Sequence, residues 1–406
     1  MSGAARRGAA RGPIAFLFLG ETLLIPHLYP IVEALSEISD ARLDLWVSTS
    51  AHEGLIGRWV GDLANPRVRI RRAPGFLGVA DDGGGRNPRV PAKTLVLLRL
   101  LPRLLTAPVA VCAEQTSLRL PRLFPWLPTR FVKTSHGVGS MSARDDPRRR
   151  AAALLLVPSE RERQTYLDRG FDPSRVAATG YVKAGFRQRT HWRPAFEDER
   201  PILLYAPHWQ EHRSSWWRWG REVVRLLVED GRFNLILAPH QRLVERAPDL
   251  RRVLDAVAGL PHVHRDTDGF AMVDGSYTAA ADIYLGDTSS QVVEFLMRPR
   301  PCVFLDAHGV AWRDDPSYAQ WRCGEVVDEL SGLLPALARA GAEHPRYAPV
   351  QADFARSSLG DTGGAAPKRA AEHILAVLNG GRAAGVGWHR RGRGRTGRSP
   401  GAGRAP

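Results

Sequence analysis

Residues 281–306 read ADIYLGDTSSQVVEFLMRPRPCVFLD. ADIYL (281–285) is an apolar run of strand length, GDTSS is a loop of small polar residues, 289–297 has helical patterning, and PCVFL (301–305) is a second apolar run. Strand, helix and strand within so short a span leave room only for a crossover between parallel strands. The pattern extends upstream: PILLY (201–205) is a strand, 216–229 a helix, FNLILA (233–238) a strand and 250–258 a helix. Such alternation predicts a parallel sheet whose ligands lie at its carboxyl edge.

The first half repeats the pattern. PIAFLFL (13–19) is a strand, 25–38 has helical periodicity, ARLDLWVS (41–48) alternates like a strand, and VRIR (68–71) suggests a third. DDGGGRNPRVP (81–91) is a turn-rich loop. TLVLLRLLPRLL (94–105) is preferred as a core or interdomain helix, with an interfacial helix as the second reading. TRFVKT (129–134) and AAALLLV (151–157) are strands, and 160–170 is a short helix with a glycine stop. The hydrophobic pattern lapses over 185–200, and a late helix over 367–378 is predicted to cross back onto the first half. The expectation is α/β: two facing Rossmann-like domains with a cleft between them, the GT-B arrangement. The boundaries are a basic N-terminus 1–12, a first domain 13–185, a linker 186–200, a second domain 201–345, a C-terminal segment 346–380 with the crossing helix, and an Arg/Gly-rich tail 381–406.

Composition narrows the function classes. Cys112, Cys302 and Cys323 are too few and too scattered for a disulfide framework or a zinc site, which favours a reducing cytoplasm. Arg6, Arg7 and Arg11 precede the run 14–19, but Gly20 and Glu21 interrupt it, so it reads as a buried strand and not as a secretory signal. The net charge is +15, yet seven arginines and no acid lie in 381–406 and three more arginines in 1–12, leaving +5 for the rest. That excess belongs to Gly/Arg-rich ends that cannot build a core, and it argues against a specific nucleic-acid binder. The ends have a charge suited to anionic headgroups or RNA.

Chemistry gathers after the strands. At Asp287, Thr288, Ser289 and Ser290, hydroxyls and backbone N–H groups converge at a helix start, a cradle for phosphate or an ordinary cap. Glu294, one turn on, is placed to reach a ribose hydroxyl. Ala206-Pro207-His208 and Ala238-Pro239-His240 follow strands in parallel fashion, each projecting an imidazole at the sheet edge. His136, in Ser135-His136-Gly137, follows a strand of the first domain and is the candidate base, with Gly137 permitting close approach. Gly180 and Lys183 are expected to border the cleft; Glu21 and His27 are weaker candidates. Asp145-Asp146 reads as a surface turn ahead of Pro147 and three arginines, so no metal site and no cofactor are expected. With no GxxxxGK[ST], no GxGxxG after a strand and no GxSxG elbow, P-loop hydrolysis, dinucleotide dehydrogenation and α/β-hydrolase chemistry are disfavoured.

Taken in order, SHG (135–137), VPSERERQTYLDRGF (157–171), ATGYVKAGF (178–186), ILLYAPHWQEHRSSW (202–216), APH (238–240) and DTSSQVVEFLMRPRPCVFLD (287–306) resemble the CDP-glycerol:poly(glycerophosphate) glycerophosphotransferase family of teichoic-acid and capsule synthesis. The resemblance covers roughly residues 130–306. It implies a transferase with His136 as base on the acceptor hydroxyl and His240, Ser289 and Ser290 on the donor diphosphate. It further implies a CDP-glycerol donor, a polymer or lipid-linked acceptor, and a cytoplasmic enzyme peripheral on the inner face of the membrane. The family's HGTP-type, G-x-P-R-x-D and APTW-type motifs are HGVGS, GYVKAG and APHW here. The architecture also resembles UDP-N-acetylglucosamine 2-epimerases and sugar transferases, so an NDP-sugar donor is the alternative. A nucleic-acid binder resting on the basic ends and a catalytically dead nucleotide-binding scaffold are the readings from other classes.

Overall fold

The computed structural model describes residues 12–79, 88–139, 145–190, 192 and 195–380. Most of the 81–91 loop and both basic ends, except Gly12, lie outside them. In the first domain the elements run β1 (Ile14–Phe18), α1 (Ile25–Ile38), β2 (Leu43–Thr49), α2 (Ser50–Val60), β3 (Val68–Leu77), α3 (Lys93–Leu104), β4 (Val109–Cys112), α4 (Arg119–Leu123), β5 (Arg130–Thr134), β6 (Leu154–Val157), α5 (Glu160–Asp168) and β7 (Val176–Ala178). All neighbouring strands are parallel, in the order β3-β2-β1-β4-β5-β6-β7. β1, β4 and β6 are buried at every position, as strands covered by helices on both faces must be. That is why their sequences are apolar runs and not alternations.

The second domain repeats the plan: β8 (Ile202–Ala206), α6 (Arg221–Asp230), β9 (Asn234–Leu237), α7 (Gln241–Arg246), α8 (Leu250–Asp255), β10 (Val263–Arg265), α9 (Ala271–Asp274), α10 (Ser276–Ala280), β11 (Ile283–Gly286), α11 (Ser290–Phe295), β12 (Cys302–Leu305) and β13 (Glu325–Val327). Its order, β10-β9-β8-β11-β12-β13, is that of the first six strands of the other sheet. The fold is therefore two Rossmann-like domains, as expected. Short strands such as VAVC (109–112) and EVV (325–327) were not legible as separate elements.

The chain then crosses back. α12 (Leu333–Leu359) begins in the second core through Leu333, Ala336 and Leu337 and continues past Pro345 and Pro349, both inside the helix. α13 (Ala366–Leu378) packs Ala370, Ala371, Ile374 and Val377 into the first domain beside Leu28, Ile31 and Leu35 of α1. A small-residue face allows that close approach, and α1, covered on both sides, buries even His27 and Glu33.

Several contacts hold the domains against each other, among them Phe270 of the second domain packed on Trp59 of the first and on Phe186. Lys183 Nζ lies 2.8 and 2.7 Å from the two carboxylate oxygens of Glu294, and Tyr181 Oη donates to the same carboxylate. Both charged side chains are buried. Arg242 pairs with Glu21 at 2.8 Å, and Val138 packs into the second domain's core. A buried ion pair costs desolvation, but losing one partner strands the other charge. Lys183→Met is expected to destabilise by about 3–5 kcal/mol, and Lys183→Met/Glu294→Leu to recover most of the loss. Urea unfolding of the three proteins checks this; equal loss in the single and double variants would contradict it.

Candidate active site

Both sheets reverse direction of growth at one point, between β1 and β4 in the first and between β8 and β11 in the second. Connecting helices cover opposite faces on either side of a switch point, which leaves a crevice outside the strand ends. The two crevices open on one cavity of about 390 Å³. His136, Gly137, His208, His240, Thr288, Ser289 and Ser290 all line it. His136 stands two residues after β5, His208 two after β8, and His240 three after β9. Thus the strand ends converge residues scattered over more than 150 positions of sequence.

The three imidazoles differ in which nitrogen holds the proton. His136 Nδ1 is 2.8 Å from the carbonyl oxygen of Ala113. A carbonyl only accepts, so this nitrogen carries the hydrogen and Nε2 presents a lone pair. His240 Nδ1 instead accepts from the backbone N–H of Arg242 at 3.1 Å, and His208 Nδ1 from that of Gln210 at 3.2 Å. In those neutral rings the hydrogen sits on Nε2. One wall of the cavity thus offers a proton acceptor and the other two N–H donors.

Burial lowers the pKa of His136 to about 3, helped by the charges of Lys133, Arg149 and Arg242 and opposed by the Ala113 hydrogen bond. Burial and Arg242 lower His240 to about 3 as well. Neither ring is charged at neutral pH, so their roles are fixed by tautomer and not by charge. The positive charge comes from Lys133, Arg149, Arg213 and Arg242, which also line the cavity. Lys133 is itself lowered to about 8 by burial and then by Arg149. Among the described residues of the lining Glu21 is the one carboxylate, and Arg242 holds it. The cavity favours an anion.

The 287–290 loop divides its labour. Ser289 is the N-cap of α11, its Oγ accepting from Gln291 N–H at 3.2 Å. α11 has only six residues, so its dipole adds little, and the polar character of this wall comes from the hydroxyls and neighbouring cations. Thr288 Oγ1 donates to Ser317 O at 2.7 Å and accepts from Gln320, which pins the loop. Asp287 does not reach the cavity: it is buried, its Oδ2 accepting from His208 N–H at 2.8 Å. Burial raises its pKa to about 7, against the backbone bond from His208 and the hydroxyls of Ser215 and Ser214. It positions the His208 loop.

Three further expected site residues lie elsewhere. Glu294 faces Lys183 and Tyr181 and so does not meet a ribose in the cavity. Lys183 is consumed by that pair. Gly180, at φ +90°, packs against 361–369 behind the cleft, where a Cβ would come within 2.6 Å of Asp361 O. The periodicity placed Glu294 correctly one turn on from Ser290, but that turn faces the domain contact. Asp146 caps the turn Pro147–Ala151 and binds Arg148 at 2.5 Å, in keeping with a surface turn. Among the described residues no group of three or more His, Cys, Asp or Glu is arranged to hold a metal ion.

The sequence reading missed the cations. Lys133 is hidden inside a strand that reads as core, and Arg149 inside an arginine run that reads as surface, though both are buried. Arg242, two residues beyond Ala-Pro-His, was within reach of the motif.

No family model matches the chain, and no curated protein matches it in sequence. Its fold is similar to several solved structures. The S. aureus MnaA–UDP complex shares 13% identity over 91% of this chain and 97% of its own, with a TM-score of 0.63. The wall teichoic acid polymerase TagF shares 14% over 91% and 90%, at 0.59. UDP-GlcNAc 2-epimerase from Neisseria meningitidis, bound to UDP-GlcNAc, shares 11% over 89% and 98%, at 0.55. These likenesses show the fold, two Rossmann-like domains in the GT-B arrangement, along nearly the whole chain.

Nitrogen-15 NMR of labelled imidazoles tests the site's proton map. The expected result at pH 5 is neutral rings for His136 and His240 where model imidazole is charged, protonated at Nδ1 in His136 and at Nε2 in His240; pKa values near 3 put their charging well below that pH. Titration of His136 or His240 near pH 6.5 would contradict the description.

Proposed function

We propose that this protein transfers a glycerophosphate or related alditol phosphate from a CDP-activated donor to a hydroxyl of a cell-surface polymer or lipid-linked acceptor. The observation that carries the reading is the pair of opposite tautomers, His136 on one wall and His240 on the other. The acceptor hydroxyl attacks the phosphorus that bears glycerol, and its proton passes to His136 Nε2. A new P–O bond forms, the bond to the bridging oxygen breaks, and CMP leaves. Charge developing on the leaving phosphate is met by the Nε2–H groups of His240 and His208, the hydroxyls of Ser289 and Ser290, and the Arg213 and Arg242 guanidiniums. The first domain is then the acceptor domain and the second the donor domain. No step in this scheme calls on a metal or an organic cofactor.

A neutral base of such low basicity suits the scheme because it is tuned by the substrate. Burial is the main cause of the low basicity of His136, and an anionic donor entering beside Lys133, Arg149 and Arg242 offsets the part those cations add.

The solved structures of similar fold with UDP and UDP-GlcNAc favour one second reading, a UDP-sugar or related NDP-sugar substrate. A glycosidic bond would then form and the nucleoside diphosphate leave. Epimerisation, which takes a proton from carbon, is less well served by a cavity whose one described carboxylate is neutralised by Arg242.

Calorimetric titration with CDP-glycerol, other CDP-alditols and UDP-sugars, followed by turnover assays, separates these readings. CDP-glycerol is expected to bind, His240→Ala and Ser289→Ala to weaken binding, and His136→Ala to retain binding while losing roughly 10²- to 10⁴-fold in transfer. Failure of all these nucleotides to bind, or full transfer by His136→Ala, would sink the proposal.

A further inference from the structure

Of the eight large apolar side chains exposed among the described residues, five lie on one patch: Leu95, Leu98, Leu105, Leu123 and Trp126. α3 buries Val96, Leu97, Leu100 and Leu104 in the first domain and turns Leu95 and Leu98 outward. It therefore flanks the core and does not bridge the domains. The segment 119–129 runs beside it along its whole length. Arg119 bonds Thr94 at 2.7 Å near one end, and Thr129 donates to Leu104 O at 2.5 Å at the other. Leu123 and Trp126, each more than 60% exposed, thus extend the leucine stripe sideways.

The charge around the stripe has one sign. Residues 88–130 include seven Lys or Arg and a single acid, Glu114, which is buried and held by Lys93 at 2.8 Å. Arg99, Arg103, Arg119 and Arg122 are exposed, and none is in an ion pair among the described residues. On α3 the arginines fall at 99 and 103, one turn apart, bordering Leu95 and Leu98.

Both basic ends join the fold at the rim of this patch. Gly12, which follows the N-terminal Arg6, Arg7 and Arg11, packs so tightly on Thr106 O that a Cβ would come within 2.1 Å. Arg130 links β5 to Pro108 O at 2.9 Å through its backbone and to Val377 O of α13 at 2.7 Å through its side chain. α13 leads directly to the seven-arginine tail.

We propose that this face docks the protein on an anionic lipid surface, with the leucines and Trp126 entering the headgroup boundary and the arginines meeting lipid phosphates. An apolar stripe edged by arginine is suited to that boundary, where the long cationic side chains reach outward while their stems lie among lipid. Each cation near such a surface adds about 1 kcal/mol, so the ten arginines of the ends add avidity to a contact the stripe orients. No helix among the described residues is long and apolar enough to cross a membrane. This inference does not rest on the transfer reaction.

The test is co-sedimentation of the full chain with phosphatidylcholine vesicles, with and without phosphatidylglycerol. Binding is expected to rise at least about tenfold with the anionic lipid and to fall with salt. Leu95→Ser/Leu98→Ser/Trp126→Ser should lose about tenfold or more in binding while keeping its thermal unfolding temperature, because all three side chains are exposed. Deletion of 381–406 should lessen the salt-sensitive part without abolishing binding. Equal binding of the triple variant would overturn the proposal by leaving only tail electrostatics. A wild-type dimer split by the same substitutions would overturn it by making the face a contact between copies. Preferential binding of RNA that displaces the vesicles without help from the stripe would likewise overturn it.

Discussion

Everything at the cleft depends on one constraint of chain handedness. A parallel sheet with right-handed crossovers must place its connecting helices on opposite faces on either side of the first strand, and this opens a gap at the carboxyl ends there. Each sheet meets the constraint in the same strand order, and the two gaps open onto one cavity. His136, His208, His240 and the 287–290 hydroxyls each lie within four residues of the end of a strand. Geometry at the site is therefore set by strand register, with little freedom left to loops.

Electrostatics follow from the same packing. The strand ends are buried, so imidazoles placed there lose the charged form, and Lys133, Arg149 and Arg242 push in the same direction. Backbone groups then choose the tautomer, a carbonyl for His136 and amides for His208 and His240. A positively charged cavity with neutral histidines is prepared for an anionic ligand that brings its own compensation. The Lys183–Glu294 pair and the Arg242–Glu21 pair hold the two walls together without entering that chemistry, except that Arg242 also lines the cavity.

The fold was legible because apolar runs of strand length alternate with helical segments in both halves, and because strands buried on both faces advertise themselves. The shortest, such as VAVC (109–112) and EVV (325–327), merge into their surroundings, since three or four residues have no measurable period. The site was legible where a histidine or hydroxyl follows a strand directly, as at 136, 208, 240 and 288–290. It was illegible where a residue's role depends on what another domain places opposite. Glu294 reads like a ribose ligand by spacing, yet Lys183, more than a hundred residues away, claims it. Lys133 reads as part of a strand, and only the tertiary fold turns its ammonium toward the cavity.

On the proposed function a nucleoside diphosphate lies across the cavity with its phosphates on the second domain's wall. A crystal structure with CDP-glycerol or UDP bound tests it most directly. The expected result is diphosphate oxygens within hydrogen-bonding distance of His240 Nε2 and of the Ser289 or Ser290 hydroxyl, with His136 Nε2 left facing the space for an acceptor. A nucleotide bound outside this cavity, or one whose diphosphate sits on His136, would contradict the account.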